Sequence, residues 1–137
     1  MSAERAQSRG LLDTSVVIAR ESGRPYRREM LPDQQAISVI TCGELEASVL
    51  AAADPTTRAL RLATLRLITA LSPIPITQPV ASAWATLRAH LVQSSRRVPV
   101  NDLWIAATAV AHRIPLVTQD DDFDPLDGVA GLQIIRI

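Results

Sequence analysis

The chain has 137 residues, with 14 basic and 14 acidic side chains, one cysteine and 3% aromatics. Its length suits one domain that buries roughly 70% of the surface its unfolded chain exposes, and the lone Cys42 excludes an internal disulfide and points to a reducing, cytoplasmic setting. No stretch approaches the ~18 apolar residues of a membrane span, and the polar opening lacks the apolar centre of a secretory signal.

Net charge is zero, but the charge is unevenly placed: residues 1–100 hold 12 Arg against 8 acids, and residues 101–137 hold 2 Arg against 6 acids. Every basic residue is Arg. A basic rim beside an acidic pocket is one way to arrange such a chain.

Residues 1–8 read as a flexible N-terminal extension ahead of a single domain over 9–137. Gly10 to Asp13 predicts a short apolar strand that ends on a carboxylate, with Thr14 and Ser15 suited to the turn and the start of a helix through Ile18 and Ala19. That helix stops near Gly23 and Pro25, and Tyr26 to Leu31 forms a further short helical piece. Arg20, Arg24, Arg27 and Arg28 crowd this region, either as a solvated surface or as a phosphate-binding rim. Gln35 to Ile40 predicts the second strand. Thr41-Cys42-Gly43-Glu44 then matches a capping box, which gives Glu44 a purely structural role at the start of a helix through Ala53.

Asp54-Pro55 opens the next helix, cap followed by proline, to about Leu71. Ile74-Pro75-Ile76 reads as a very short or edge strand. Pro79 begins a long helix to about Gln93. His90 and His112 lack metal-ligand spacing and read as packed or surface side chains. Asn101 is a good cap for a helix from Asp102 to about Arg113, where an acid in the first turn meets the helix dipole favourably. Ile114 to Thr118 reads as a buried strand leading into Asp120-Asp121-Asp122, and Leu132 to Ile137 as the last strand.

Strands alternating with helices predict an α/β fold with a mostly parallel central sheet flanked by helices, whose ligands bind beyond the carboxyl ends of the strands. Asp13, Glu44, Asp102 and the Asp120–Asp122 run all fall near such ends. Each has an ordinary explanation alone, but together they converge. Carboxylates brought close repel and raise one another's pKa unless a cation sits among them. An all-oxygen set without His or Cys suits Mg²⁺ or Mn²⁺.

The apolar-Asp13-Thr14-Ser15 opening, Glu44 on a helix, Asn101-Asp102-Leu103-Trp104-Ile105-Ala106-Ala107-Thr108-Ala109 and Leu116-Val117-Thr118-Gln119-Asp120-Asp121-Asp122-Phe123 together resemble the motifs of PIN-domain ribonucleases, and most closely the VapC toxins of bacterial toxin–antitoxin pairs. The resemblance runs from Leu11 to the C-terminus and lies in order and spacing. It implies a metal-dependent endoribonuclease in which Asp13, Glu44 and Asp102 match three central metal-site acids. The fourth falls on Asp120, with Asp122 as a second candidate and Thr118 as the supporting hydroxyl. It also implies an RNA substrate, a homodimer, and silencing by a VapB-type antitoxin that presents a basic side chain to the acids. The apolar residues on the helices 55–71 and 79–93, among them Leu60, Leu67, Leu71, Val80, Trp84, Leu87 and Leu91, exceed one buried stripe and suit partner contacts. A receiver domain and a haloacid-dehalogenase-type phosphatase both need a lysine that this chain lacks. A catalytically silent PIN-fold protein-binding module, its acids serving as caps, is the alternative.

Overall fold

The computed structural model describes residues 8–137; of the expected extension, all but Ser8 lies outside the described residues. In chain order come β1 (Arg9–Leu12), α1 (Thr14–Ser22), β2 (Gln34–Ala36), α2 (Val39–Leu50), α3 (Pro55–Thr69), α4 (Gln78–Ser94), α5 (Val100–His112), β3 (Leu116–Thr118) and β4 (Ile134–Arg136), with 3-10 turns at Arg28–Met30, Asp121–Leu126 and Val129–Gly131. The sheet order is β2-β1-β3-β4 and each pair is parallel. Every strand therefore ends on the same edge. The expected strand at Ile74-Pro75-Ile76 reduces to one bridge, in which Ile74 N donates to Ile37 O and Ile74 O accepts from Val39 N, since Pro75 has no N–H to extend the ladder.

Strand alternation divides the core into two layers. Leu11 and Leu116 join Leu87, Leu91, Ile105, Phe123 and Leu126 on the face covered by α4 and α5. Leu12 and Val117 join Val16, Val17, Ile37, Leu45 and Ile68 on the face covered by α1, α2 and α3. Gly10 is packed closely: a Cβ there would come within 3.0 Å of both Pro32 Cγ and Val117 Cγ2.

The two long helices expected to serve partners behave differently. Val80, Leu87 and Leu91 of α4 are buried, and the half-buried Trp84 stacks on Trp104 of α5 with ring centroids 5.1 Å apart. Most of the α4 stripe is thus consumed by the core, with Val92 left 61% exposed. On α3 only Ile68 is buried, whereas Leu60 and Leu67 are 52% and 72% exposed. Leu71, just beyond it, is exposed as well.

Two helix starts differ from the sequence reading, and both differences reach the site. Helix α2 begins at Val39, with Ser38 as its cap accepting from Ile40 N at 3.0 Å, so the apolar Ile37–Ile40 run is half strand end and half first turn. A buried serine cap outweighs the strand preference of Val39 and Ile40. Thr41 is consequently inside the helix, and the capping box with Glu44 does not form. Helix α5 begins at Val100 after Pro99, which leaves Asn101 inside the first turn instead of capping it. Among the described residues, no helix is long and apolar enough to cross a membrane.

Removal of the α2 cap by Ser38→Ala should cost about 1 kcal/mol, read as a lowered urea midpoint with an unchanged slope. An unchanged midpoint would place the cap elsewhere.

Candidate active site

β1 delivers Asp13 to the carboxyl edge of the sheet, where its backbone N donates to Val117 O at 2.9 Å. Asp13 is itself the cap of α1, a role the sequence reading had assigned to Thr14 and Ser15. Its Oδ2 accepts from Ser15 Oγ at 2.7 Å, Thr118 Oγ1 at 2.9 Å and Ser15 N at 3.3 Å. Oδ1 is left without a hydrogen-bond donor among the described residues. Thr118 Oγ1 in turn accepts from Asp120 N, and Ser15 Oγ from Gln119 N. The ends of β1 and β3 are thereby tied through side-chain oxygens.

Glu44, one turn further into α2 than a capping box would place it, reaches out of the helix. Thr14 Oγ1 donates to its Oε1 at 2.6 Å, and Asn101 Nδ2 lies 3.4 Å from Oε2. Its carboxylate is therefore oriented by groups from α1 and α5. Asp102, in the first turn of α5, projects toward the same space. Asp120 caps the following 3-10 turn by accepting from Asp122 N at 3.0 Å.

Carboxylate oxygens of Asp102, Asp120 and Asp122 lie within 4.8 Å of one another. Asp13, Glu44, Asp102 and Asp120 line one cleft of about 770 Å³, together with Thr14, Ser15, Arg24 and Gln119. Both candidates for the fourth acid therefore sit by Asp102, and Asp13 and Glu44 complete the walls. Asp121 reaches the rim of this cleft, but its carboxylate is paired with Arg136, which also pairs with Asp124. The triplet is sorted: the middle acid is neutralised and its neighbours are not.

Crowding shows in the acidities. Burial, followed by the charges of Asp13, Asp120, Glu44 and Asp122, pushes Asp102 up to about 7. Burial also raises Asp13, against the opposing hydrogen bonds from Ser15 and Thr118. Asp122 is raised chiefly by the charge of Asp120. An all-carboxylate set whose members disfavour one another's ionisation suits a hard divalent cation. The sequence reading missed Thr14 and Gln119 as supports and gave Asn101 a different task. No local pattern marks these contacts, since each joins segments far apart in the chain.

The family model for the PIN domain matches residues 10–129. Ribonuclease VapC5 of Mycobacterium tuberculosis is 51% identical over 128 residues, covering 93% of this chain and 95% of that protein. Ribonuclease VapC4 of the same organism is 42% identical over 126 residues, covering 92% and 97%. Among solved structures, the crystal structure of VapBC-5 from M. tuberculosis, a member of the VapBC family of toxin–antitoxin systems, superposes with a TM-score of 0.88 at 47% identity, over 95% of this chain and 99% of that one.

Asp102 holds its proton more tightly in the fold than in the unfolded chain. The metal-free fold therefore loses stability as pH rises from about 4 to about 7. Asp102→Asn removes that loss. In EDTA at pH 8 the variant should melt higher than the parent, by roughly 3–6 °C after allowance for solvent screening, with the difference closing toward pH 4. A variant that melts lower at pH 8 would show that the carboxylate is held by an attraction, contrary to the repulsion described.

Proposed function

This chain belongs to the PIN-domain family, and from its likeness to the VapC ribonucleases we infer that it is an endoribonuclease of the VapC type, the toxin of a VapBC-type toxin–antitoxin module. It is a hydrolase acting on RNA phosphodiester bonds. The observation that carries the site assignment is the convergence of Asp102, Asp120 and Asp122 oxygens within 4.8 Å, in a cleft walled by Asp13 and Glu44.

The donor set is all carboxylate and fits Mg²⁺ or Mn²⁺, held by Asp13, Asp102 and Asp120, with Asp122 adjoining and Glu44 acting directly or through water. A divalent ion there would activate water and stabilise charge developing on the phosphate. The protein's own groups have separate tasks. Ser15 and Thr118 fix one oxygen of Asp13 so that the other is presented in a set direction, and Thr14 and Asn101 do the same for Glu44. Asp102 sits among the other acids in the first turn of α5, where the burial and repulsion that raise its pKa in the metal-free fold would be offset by a divalent ion. Arg24 at the rim supplies positive charge for a phosphate approaching an otherwise acidic cleft. A silent binding module with its acids as caps accounts less well for this arrangement, because Glu44 caps no helix and is braced by two other elements.

We place the protein in the cytoplasm, the setting that its single unpaired Cys42 favours. The likeness to VapBC complexes supports a VapB-type antitoxin, and the acidic cleft would accept from it a basic side chain, an Arg making bidentate contacts that compete with metal and substrate. The exposed Leu60, Leu67 and Leu71 of the α3 face support a homodimer.

Cleavage of RNA should require Mg²⁺ or Mn²⁺ and stop in EDTA. Asp102→Asn and Asp120→Asn should abolish it, and Thr118→Val should slow it by about 10–100-fold. Asp121→Asn should remain close to wild type. Cleavage by the Asp102→Asn protein in Mg²⁺ would remove the assignment. Light scattering at micromolar concentration should give twice the chain mass, and Leu67→Asp should return the monomer; a wild-type monomer would exclude the homodimer.

A further inference from the structure

A second, smaller cleft adjoins the acidic one and shares Arg24 with it. Arg20, Arg24, Tyr26 and Arg28 line it together with Ala19, Gly23 and Pro25, with no acid among its lining residues. Arg24 is held as the wall between the two clefts, with Nε donating to Gln119 Oε1 at 2.8 Å and Nη2 to Ser15 O at 3.0 Å. Its Nη1 makes no hydrogen bond among the described residues. Gln119 braces the same loop from below, donating from Nε2 to Pro25 O at 2.8 Å. The guanidinium of Arg28 lies over the Tyr26 ring, 5.5 Å from its centroid, which limits its wandering without consuming its donors. Arg27, by contrast, is drawn off to Arg136 O and takes no part. Three arginines thus line one concavity, which meets the acidic cleft at Arg24.

On the reading of the acidic cleft as an RNA-cleaving site, we propose that the Arg20–Arg24–Arg28 cleft is the path of the RNA strand leaving that site, binding backbone phosphates next to the one that is cut. Paired cations without acids match a polyanion of regularly spaced phosphates, and their side-by-side placement with the cleft of carboxylates resolves how a polyanion settles there. Phosphates flanking the scissile bond are held by arginine, so only the reacting one need enter the negative field. Gln119 links the two functions mechanically, because its backbone lies between Thr118 and Asp120 while its side chain positions Arg24. Tyr26 offers one ring face for a base or for Arg28, and the sequence-independent backbone contacts dominate.

The test uses the full-length Asp102→Asn protein, titrated with labelled single-stranded RNA of about ten nucleotides over a range of salt concentrations. Combining Arg20→Gln with Arg28→Gln should reduce the slope of log affinity against log salt by about 1.4, at ~0.7 per phosphate contact, and weaken binding about tenfold. Arg20→Lys with Arg28→Lys should keep the slope. Arg88→Gln, on α4 across the sheet, should change neither quantity. Melting curves establish that each variant is folded. Equal slopes for the parent and the Gln pair overturn the cleft and leave the cleavage reading standing. A parent that binds no RNA at any salt, with a wild-type protein that cuts none in Mn²⁺, overturns both.

Discussion

One oxygen of Asp13 takes three donated hydrogen bonds, two of them from Ser15 and one from Thr118, and the remainder of the site is arranged around that knot. It makes the carboxyl ends of β1 and β3 a single rigid piece. Thr118 also receives the backbone of Asp120, and Ser15 that of Gln119, so the position of the following acid is inherited from the position of the first. A buried carboxylate is tolerable only when its lone pairs are satisfied. Satisfying one oxygen and leaving the other free keeps Asp13 ionisable yet directed.

The second constraint is repulsion. The parallel sheet brings acids from four segments to one edge, and at Asp102 burial first and the neighbouring charges second raise the pKa to about 7. Such a cluster is a local cost to the fold, offset by the two apolar layers behind it. Leu11 and Leu12, adjacent in sequence and buried in opposite layers, anchor the strand that carries Asp13 from both sides. A strained, charged edge on a well-packed sheet is the arrangement expected where binding of a cation supplies the missing attraction.

Much of this was legible in the sequence because strand-to-helix junctions announce themselves. The apolar run ending on Asp13, the buried strand before Asp120 and the cap at Asp54 are all local patterns, and the parallel α/β order follows from their alternation. Glu44 shows where local reading fails. Thr41-Cys42-Gly43-Glu44 has the spacing of a capping box, but Ser38 starts the helix three residues earlier, and Glu44 is oriented instead by Thr14 and Asn101 from other elements. The same holds for the arginine cluster: four side chains look equivalent along the chain, yet contacts nearly a hundred residues away separate Arg24 and Arg27 into different tasks. The apolar excess on α4 was likewise ambiguous until the Trp84–Trp104 stack showed which way that helix faces.

The destination of Arg27 bears on how molecules of this protein keep apart. β4 is an edge strand. Gln133 O and Ile137 N engage β3, so the intervening Arg136 turns its backbone polar groups outward, where an unpaired edge can recruit a strand from another molecule. The Arg27 guanidinium covers the Arg136 carbonyl at 2.7 Å, and the Arg136 side chain is itself engaged by Asp121 and Asp124. The lateral margin of the sheet is therefore blunted by charged side chains, which discourages open-ended sheet extension between neighbouring copies.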